Sequence, residues 1–189
     1  MERTTIWLPR HLLARIAWQA AAQGETETGG MLVGYEGAAG GEDIVVTSLI
    51  DAGPRASHAE YAFNPDGRWQ RQQLARVYAD SGRIATFIGD WHSHPHGLPL
   101  PSEQDVETAQ QTAENAGARA PRPLTVIVGR DLNHKWVAAG FRYTNGELVQ
   151  ARLCVFDAEP ANFVEALMPR RRREAKVTPF DLDARDRAT

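Results

Sequence analysis

The stretch Trp91-His92-Ser93-His94-Pro95-His96-Gly97-Leu98-Pro99-Leu100-Pro101-Ser102-Glu103-Gln104-Asp105 decides how the chain is read. It follows an apolar run, Ile84-Ala85-Thr86-Phe87-Ile88, that predicts a buried strand. Residues two apart on a strand share a face, so His92 and His94 project together and Ser93 points away. Pro95, Pro99 and Pro101 interrupt both a continuing ladder and an early helix, because proline lacks an N–H and has a fixed φ. A helix can begin only near Ser102, which puts Asp105 one turn inside it. Two imidazoles from a strand end and one carboxylate from the next helix then converge on one point. Three N/O ligands with one position open suit a catalytic zinc better than a structural one. The same residues admit a plainer reading. Ser102 makes a good helix N-cap with Asp105 in the first turn, and two histidines beside a proline-rich loop can simply be solvated.

Working towards the N-terminus, Asn64-Pro65-Asp66 opens a helix over 67–81, with Trp69, Leu74 and Val77 as candidate core residues. Residues 51–58 read as a loop, and Tyr61-Ala62-Phe63 as a short strand. Ile44 to Ile50 is a β-rich strand, reached through a glycine-rich turn at Gly37 to Gly41. Glu27-Thr28-Gly29-Gly30-Met31-Leu32-Val33-Gly34-Tyr35 is a strand that opens with small residues. Gly29 and Gly30 indicate close backbone approach to a neighbour or a substrate. Strand alternation does not separate Glu25 from Glu27, since both would face one side. Pro9 suits a first helical position, and Leu12, Leu13, Ile16, Ala17 and Ala20 mark an amphipathic helix ending near Gly24.

Working towards the C-terminus, Ser102 to Gly117 is a largely solvated helix and Leu124 to Val128 a buried strand. Trp136 to Tyr143 pairs with Leu148 to Phe156 through an Asn145-Gly146 hairpin. Strands alternating with helices and ending in an antiparallel meander predict an α/β fold with a mixed sheet.

His-Ser-His, seven residues, Ser, two residues and Asp resembles the JAMM motif of the JAB1/MPN/Mov34 metalloprotease family. Every position is filled here: His92, Ser93, His94, Ser102 and Asp105. Glu27-Thr28-Gly29-Gly30-Met31-Leu32-Val33-Gly34 is similar to the family's Glu-Thr-Gly-Gly-x-Leu-x-Gly block, and this match singles out Glu27. The resemblance spans roughly residues 5 to 155 and implies the MPN (cytidine-deaminase-like) fold, a central mixed sheet flanked by helices. It implies one zinc per chain held by His92, His94 and Asp105, with Glu27 as general acid/base and Ser102 as oxyanion donor. Ser93, facing away, would support the loop. Asp90 shares a strand face with His92 and could orient an imidazole, though an exposed aspartate is the plainer expectation. His96 lies beyond the family pattern and is expected in solvent, while His11, His58 and His134 are too scattered to argue a second site.

The implied activity is a zinc metallo-isopeptidase that cuts after the C-terminal Gly-Gly of a ubiquitin-like protein, by deconjugation or precursor processing. Implied partners are that protein or its conjugates, with E1-like and E2-like proteins of the same operon. An antiphage context rests on analogy alone. Two alternatives stay open: a peptidase that processes a sulfur-carrier protein, and a non-catalytic MPN scaffold.

Composition sets outer bounds. The 189 residues, 42% hydrophobic, fit one domain over 1–160 and a basic then polar tail over 161–189 that carries Arg170 to Arg173. A net charge of −3 gives no ground for nucleic-acid binding. One cysteine, Cys154, excludes an internal disulfide and a multi-cysteine zinc site. No apolar run approaches the ~18 residues of a membrane span, and no leader-like h-region opens the chain. A cytoplasmic protein without membrane contact is therefore the expectation.

Overall fold

The computed structural model describes residues 4–37 and 42–157. Part of the predicted glycine-rich turn and all of the 161–189 tail, including Arg170 to Arg173, lie outside the described residues. Strand β1 (Thr5–Pro9) leads directly into helix α1 (Arg10–Gln23). Pro9 caps this helix without a side-chain hydrogen bond, and Gly24 ends it at φ 74°, a conformation that favours glycine. Strands β2 (Gly29–Glu36) and β3 (Asp43–Asp51) follow, then a small hairpin of β4 (Ser57–Ala59) and β5 (Ala62–Asn64). Helix α2 (Gly67–Asp80) precedes β6 (Thr86–His94), helix α3 (Glu103–Glu114) and the meander β7 (Leu124–Arg130), β8 (Trp136–Thr144) and β9 (Glu147–Phe156).

The large sheet runs β1-β3-β2-β6-β7-β8-β9. It is mixed, with β1 parallel to β3 and β6 parallel to β7, while the hairpin-type neighbours are antiparallel. It also closes: β1 pairs in parallel with β9 from Thr5↔Arg152 to Pro9↔Phe156. The predicted mixed sheet flanked by helices is therefore present, rolled until its edges meet, which removes the exposed strand edges of an open sheet.

Two apolar clusters hold this arrangement. The larger joins Leu12, Leu13, Ile16 and Ala20 of α1 to Ile6, Leu32, Val46, Trp91 and Val126 from five strands. The smaller puts α2, through Trp69, Leu74 and Val77, over Val33 and Ile50. Several boundaries differ from the sequence reading. The buried strand starts at Thr86 and not at Ile84, which is 63% exposed. The expected loop at 51–58 donates its last residues to β4. Thr5–Pro9 form β1, although the sequence reading assigns Thr5 to Leu8 no element and makes Pro9 the first helical residue; Pro9 instead stays extended at ψ 136° and the helix starts at Arg10.

Candidate metal centre and active site

Strand β6 alternates as its sequence requires. Trp91 and Ser93 are wholly buried on one face, and His92 and His94 project from the other. The proline-rich connection then returns the chain to Ser102, the N-cap of α3. Its hydroxyl accepts from the Asp105 N–H, while the Asp105 carboxylate accepts from the Ser102 N–H at 2.7 Å. The plainer reading of these two residues as a helix cap is thus realised. It coexists with the convergence on the histidines.

His92 Nε2 lies 3.1 Å from His94 Nε2 and 3.1 Å from Asp105 Oδ1. His94 Nε2 lies 3.6 Å from Asp105 Oδ2. Among the described residues these three form a cluster able to hold a metal ion, with ligand atoms all within 4.8 Å of one another. The donor set fits such an ion. Metal–N and metal–O bonds of about 2.0–2.1 Å in a tetrahedron imply edges of roughly 3.3–3.4 Å, and the two separations measured from His92 Nε2, 3.1 Å each, lie close to that value. Imidazole and carboxylate donors together suit a first-row divalent ion such as zinc or iron.

For Asp105 and His94 the electrostatics favour the protonation states that can ligate. Burial disfavours ionisation of Asp105, but the His92 hydrogen bond and charge together with the two Ser102 donors outweigh it, so the carboxyl is held well below the usual range. His94 is held below the ordinary imidazole value by burial and by His92, against the pull of Asp105. Both groups therefore present lone pairs near neutral pH.

Glu27 Oε1 lies 3.9 Å from His94 Nε2, its side chain 15% exposed. Burial raises its carboxyl pKa, with His92 opposing and Asp105 adding to the shift. Glu25 lies elsewhere, 86% exposed and 3.4 Å from His96 Nδ1. The structure thus separates two glutamates that alternation left equivalent, and the reason is local. Both precede β2, so no pleat governs them.

Ser93 has a definite partner. Its Oγ accepts from the Thr28 N–H at 3.0 Å, and its own N–H donates to the Thr28 carbonyl at 2.8 Å, so it ties the histidine strand to the Glu27 segment. The expected close approach at Gly29 is to a neighbour. A Cβ there would stand 2.4 Å from both the Trp91 carbonyl oxygen and the Phe63 ring. His96 is exposed as expected, yet its Nε2 donates to the Glu25 carbonyl at 3.0 Å. Asp90 is half-buried, its carboxyl pushed up to about 7 by burial with His92 opposing. Sequence reasoning passed over His58, whose Nδ1 lies 2.9 Å from the Glu27 carbonyl oxygen. No spacing rule could have found it, because the contact crosses 31 residues.

Among the described residues no helix is long and apolar enough to cross a membrane. A solution structure of a Desulfitobacterium hafniense protein superposes with a TM-score of 0.62 at 19% identity, over 81% of this chain and 94% of that one. Its likeness carries the fold alone. A probable metalloprotease of Sinorhizobium fredii is 34% identical over 137 residues, 70% of this chain and 82% of that protein. Two proteins named CD-NTase/cGAS isopeptidase are also similar. The one from Enterobacter hormaechei subsp. hoffmannii is 25% identical over 67% of this chain and 68% of its own length. The one from Escherichia coli is 27% identical over 56% and 63%. Residues 9–140 match the family Prok-JAB, described as prokaryotic homologs of the JAB domain, and on that match the chain belongs to the JAB family.

Proposed function

We propose that the protein is a zinc-dependent peptidase that hydrolyses the bond following the C-terminal Gly-Gly of a ubiquitin-like protein. One observation carries this reading most directly: Glu27, a carboxylate with a raised pKa, stands beside a three-ligand cluster that it does not complete. The relatives named metalloprotease and isopeptidase support the reaction class. Zinc rests on the donor set together with the family resemblance, and the ubiquitin-like substrate rests on the resemblance of the two motif blocks.

A divalent ion held by His92, His94 and Asp105 would polarise the scissile carbonyl and acidify a water. Glu27 takes the proton of the attacking water and later delivers it to the leaving amine, a task for a carboxylate whose pKa lies above the ordinary range. The Ser102 hydroxyl donates to Asp105 Oδ2 at 2.8 Å. To serve the tetrahedral oxyanion it must rotate away from that carboxylate, which keeps the Ser102 N–H as its other donor. Ser93 and Thr28 hold the two halves of the site in register.

The test uses a panel of ubiquitin-like domains joined to a lysine side chain, differing only in the last two residues before the isopeptide bond. A sulfur-carrier precursor is included. Cleavage is expected after Gly-Gly and not after bulky residues, with one zinc per chain by elemental analysis. Glu27→Gln should keep the zinc and lose about 100- to 10,000-fold in turnover, whereas His94→Ala should lose zinc and activity together. Near-wild-type cleavage by Glu27→Gln would remove Glu27 from the reaction. Preference for the sulfur-carrier precursor would redirect the substrate, and a zinc-loaded protein that cleaves nothing on the panel would favour a scaffold.

A further inference from the structure

Residues 25–28 connect α1 to β2 without belonging to a helix or strand, so the candidate base has no regular element to fix it. The hairpin β4–β5 supplies the hold. The Glu27 N–H donates to the Ala59 carbonyl at 2.8 Å. The Glu27 carbonyl, which can only accept, faces His58 Nδ1 at 2.9 Å. The ring must therefore carry its proton on Nδ1. Both main-chain polar groups of Glu27 thus end on two adjacent residues of one strand.

His58 is itself restrained. It is half-buried and stacks on Phe63 of β5, with ring centroids 6.4 Å apart and planes 14° from parallel. Phe63 in turn occupies the space that a side chain at position 29 would need. The hairpin therefore grips the segment twice, through hydrogen bonds at Glu27 and through packing at Gly29.

We propose that His58 is a positioning residue for Glu27, acting through the main chain of the base and not on substrate or metal. The inference rests on reading Glu27 as the proton-transfer group. The physical argument is one of tolerance. A proton acceptor works within hydrogen-bond reach of its donor, and a displacement near 1 Å can cost about 100-fold. Releasing the carbonyl of Glu27 lets its carboxylate drift without disturbing the three ligands, which belong to other elements.

The experiment compares His58→Leu, which removes the donor, with His58→Asn, whose amide N–H can take the place of Nδ1–H. On the Gly-Gly isopeptide reporter, His58→Leu should lower kcat about 10- to 100-fold at unchanged KM and zinc content. His58→Asn should recover most of that loss. In the Glu27→Gln background His58→Leu should add no further loss, because its effect passes through the missing carboxylate. A second readout needs no turnover. Native-state hydrogen exchange at the Glu27 amide should quicken about tenfold or more in His58→Leu and return in His58→Asn, with the β7 amides unchanged. The proposal is overturned by a wild-type kcat in His58→Leu, by an undiminished loss in the Glu27→Gln background, or by unchanged exchange at Glu27. If Glu27→Gln itself keeps wild-type turnover, the reading of the base fails instead, and hydrogen exchange alone decides whether His58 holds the segment.

Discussion

Asp90 shows how a single residue can work against the fold that contains it. Its carboxyl is pushed up to about 7 by burial, against the opposing charge of His92. An unfolded aspartate titrates near 3.9, so between about pH 4 and pH 7 the folded state binds more protons than the unfolded one. Stability is then highest below that window and falls as pH rises through it. In metal-free protein, Asp90→Asn should abolish this decline and be the more stable form at pH 8 by on the order of 1 kcal/mol or more. Chemical denaturation at several pH values, with chelator present, checks it; parallel pH profiles for the two proteins would remove Asp90 as the cause. At this scale the sequence was legible where pattern and chemistry coincide. His92, His94 and Asp105 follow from strand period and helix onset, and the structure brings them together. Glu27 needed a motif match, since residues before a strand carry no phase. His58 carries no local signal at all, because its partner is fixed only by tertiary structure.

Among the elements, the proline-rich connection between β6 and α3 is the one the site depends on, and β7 holds it in place. The Arg130 N–H donates to the Gly97 carbonyl at 2.7 Å. A Cβ on Gly129 would stand 2.5 Å from the Gly97 carbonyl oxygen and 2.7 Å from Leu98 C and Pro99 N. These are all backbone atoms, so the loop itself would have to yield. Gly129→Val should therefore push the chain that delivers Ser102 and Asp105 away from the histidines. The expected result is at least a tenfold weaker hold on zinc in competition with a chromophoric chelator, with a stability loss of about 1–3 kcal/mol from overpacking. Gly67→Ala, at the start of α2 with Arg71 as its near neighbour at 3.4 Å, serves as the control and should leave zinc affinity unchanged. Wild-type affinity in Gly129→Val would show that the loop does not depend on this seat. The dependence cannot be read from sequence, because a glycine in an apolar strand looks the same whatever lies above it. The bulge in β6 was hidden for a related reason. Ile88 and Trp91 join one core cluster although they are three apart. The pairing with β2 slips at Leu32/Val33, skipping Ile88. An apolar run does not announce such a bulge.

Closure of the sheet is the feature of the whole molecule that the sequence hides most completely. The helix positions, the hairpin at Asn145-Gly146 and the mixed character of the sheet were all readable from period and turn chemistry. The β1–β9 pairing joins Thr5 to Arg152, and no composition or spacing rule reaches that far. Its energetic signature should nonetheless be measurable. Ile6 of β1 is fully buried, and its Cδ1 would lie 2.7 Å from a Cβ placed on Gly140 of β8, a strand that does not pair with β1. Glycine at 140 therefore makes room for a side chain arriving from another part of the closed sheet. Ile6→Val removes that terminal methyl and should cost about 0.5–1.5 kcal/mol. Gly140→Ala alone should cost about 1–3 kcal/mol by overpacking. Made together, the two changes should relieve each other. Ile6→Val takes away the atom that the new methyl would strike, and the next, Cγ1, is 3.8 Å off. The double variant should then be more stable than the sum of the single losses by at least about 0.5 kcal/mol, the size expected for residues in contact. Denaturant unfolding of the four proteins measures this coupling. Strict additivity would mean that Ile6 and Gly140 do not meet, and that β1 does not sit where closure of the sheet requires.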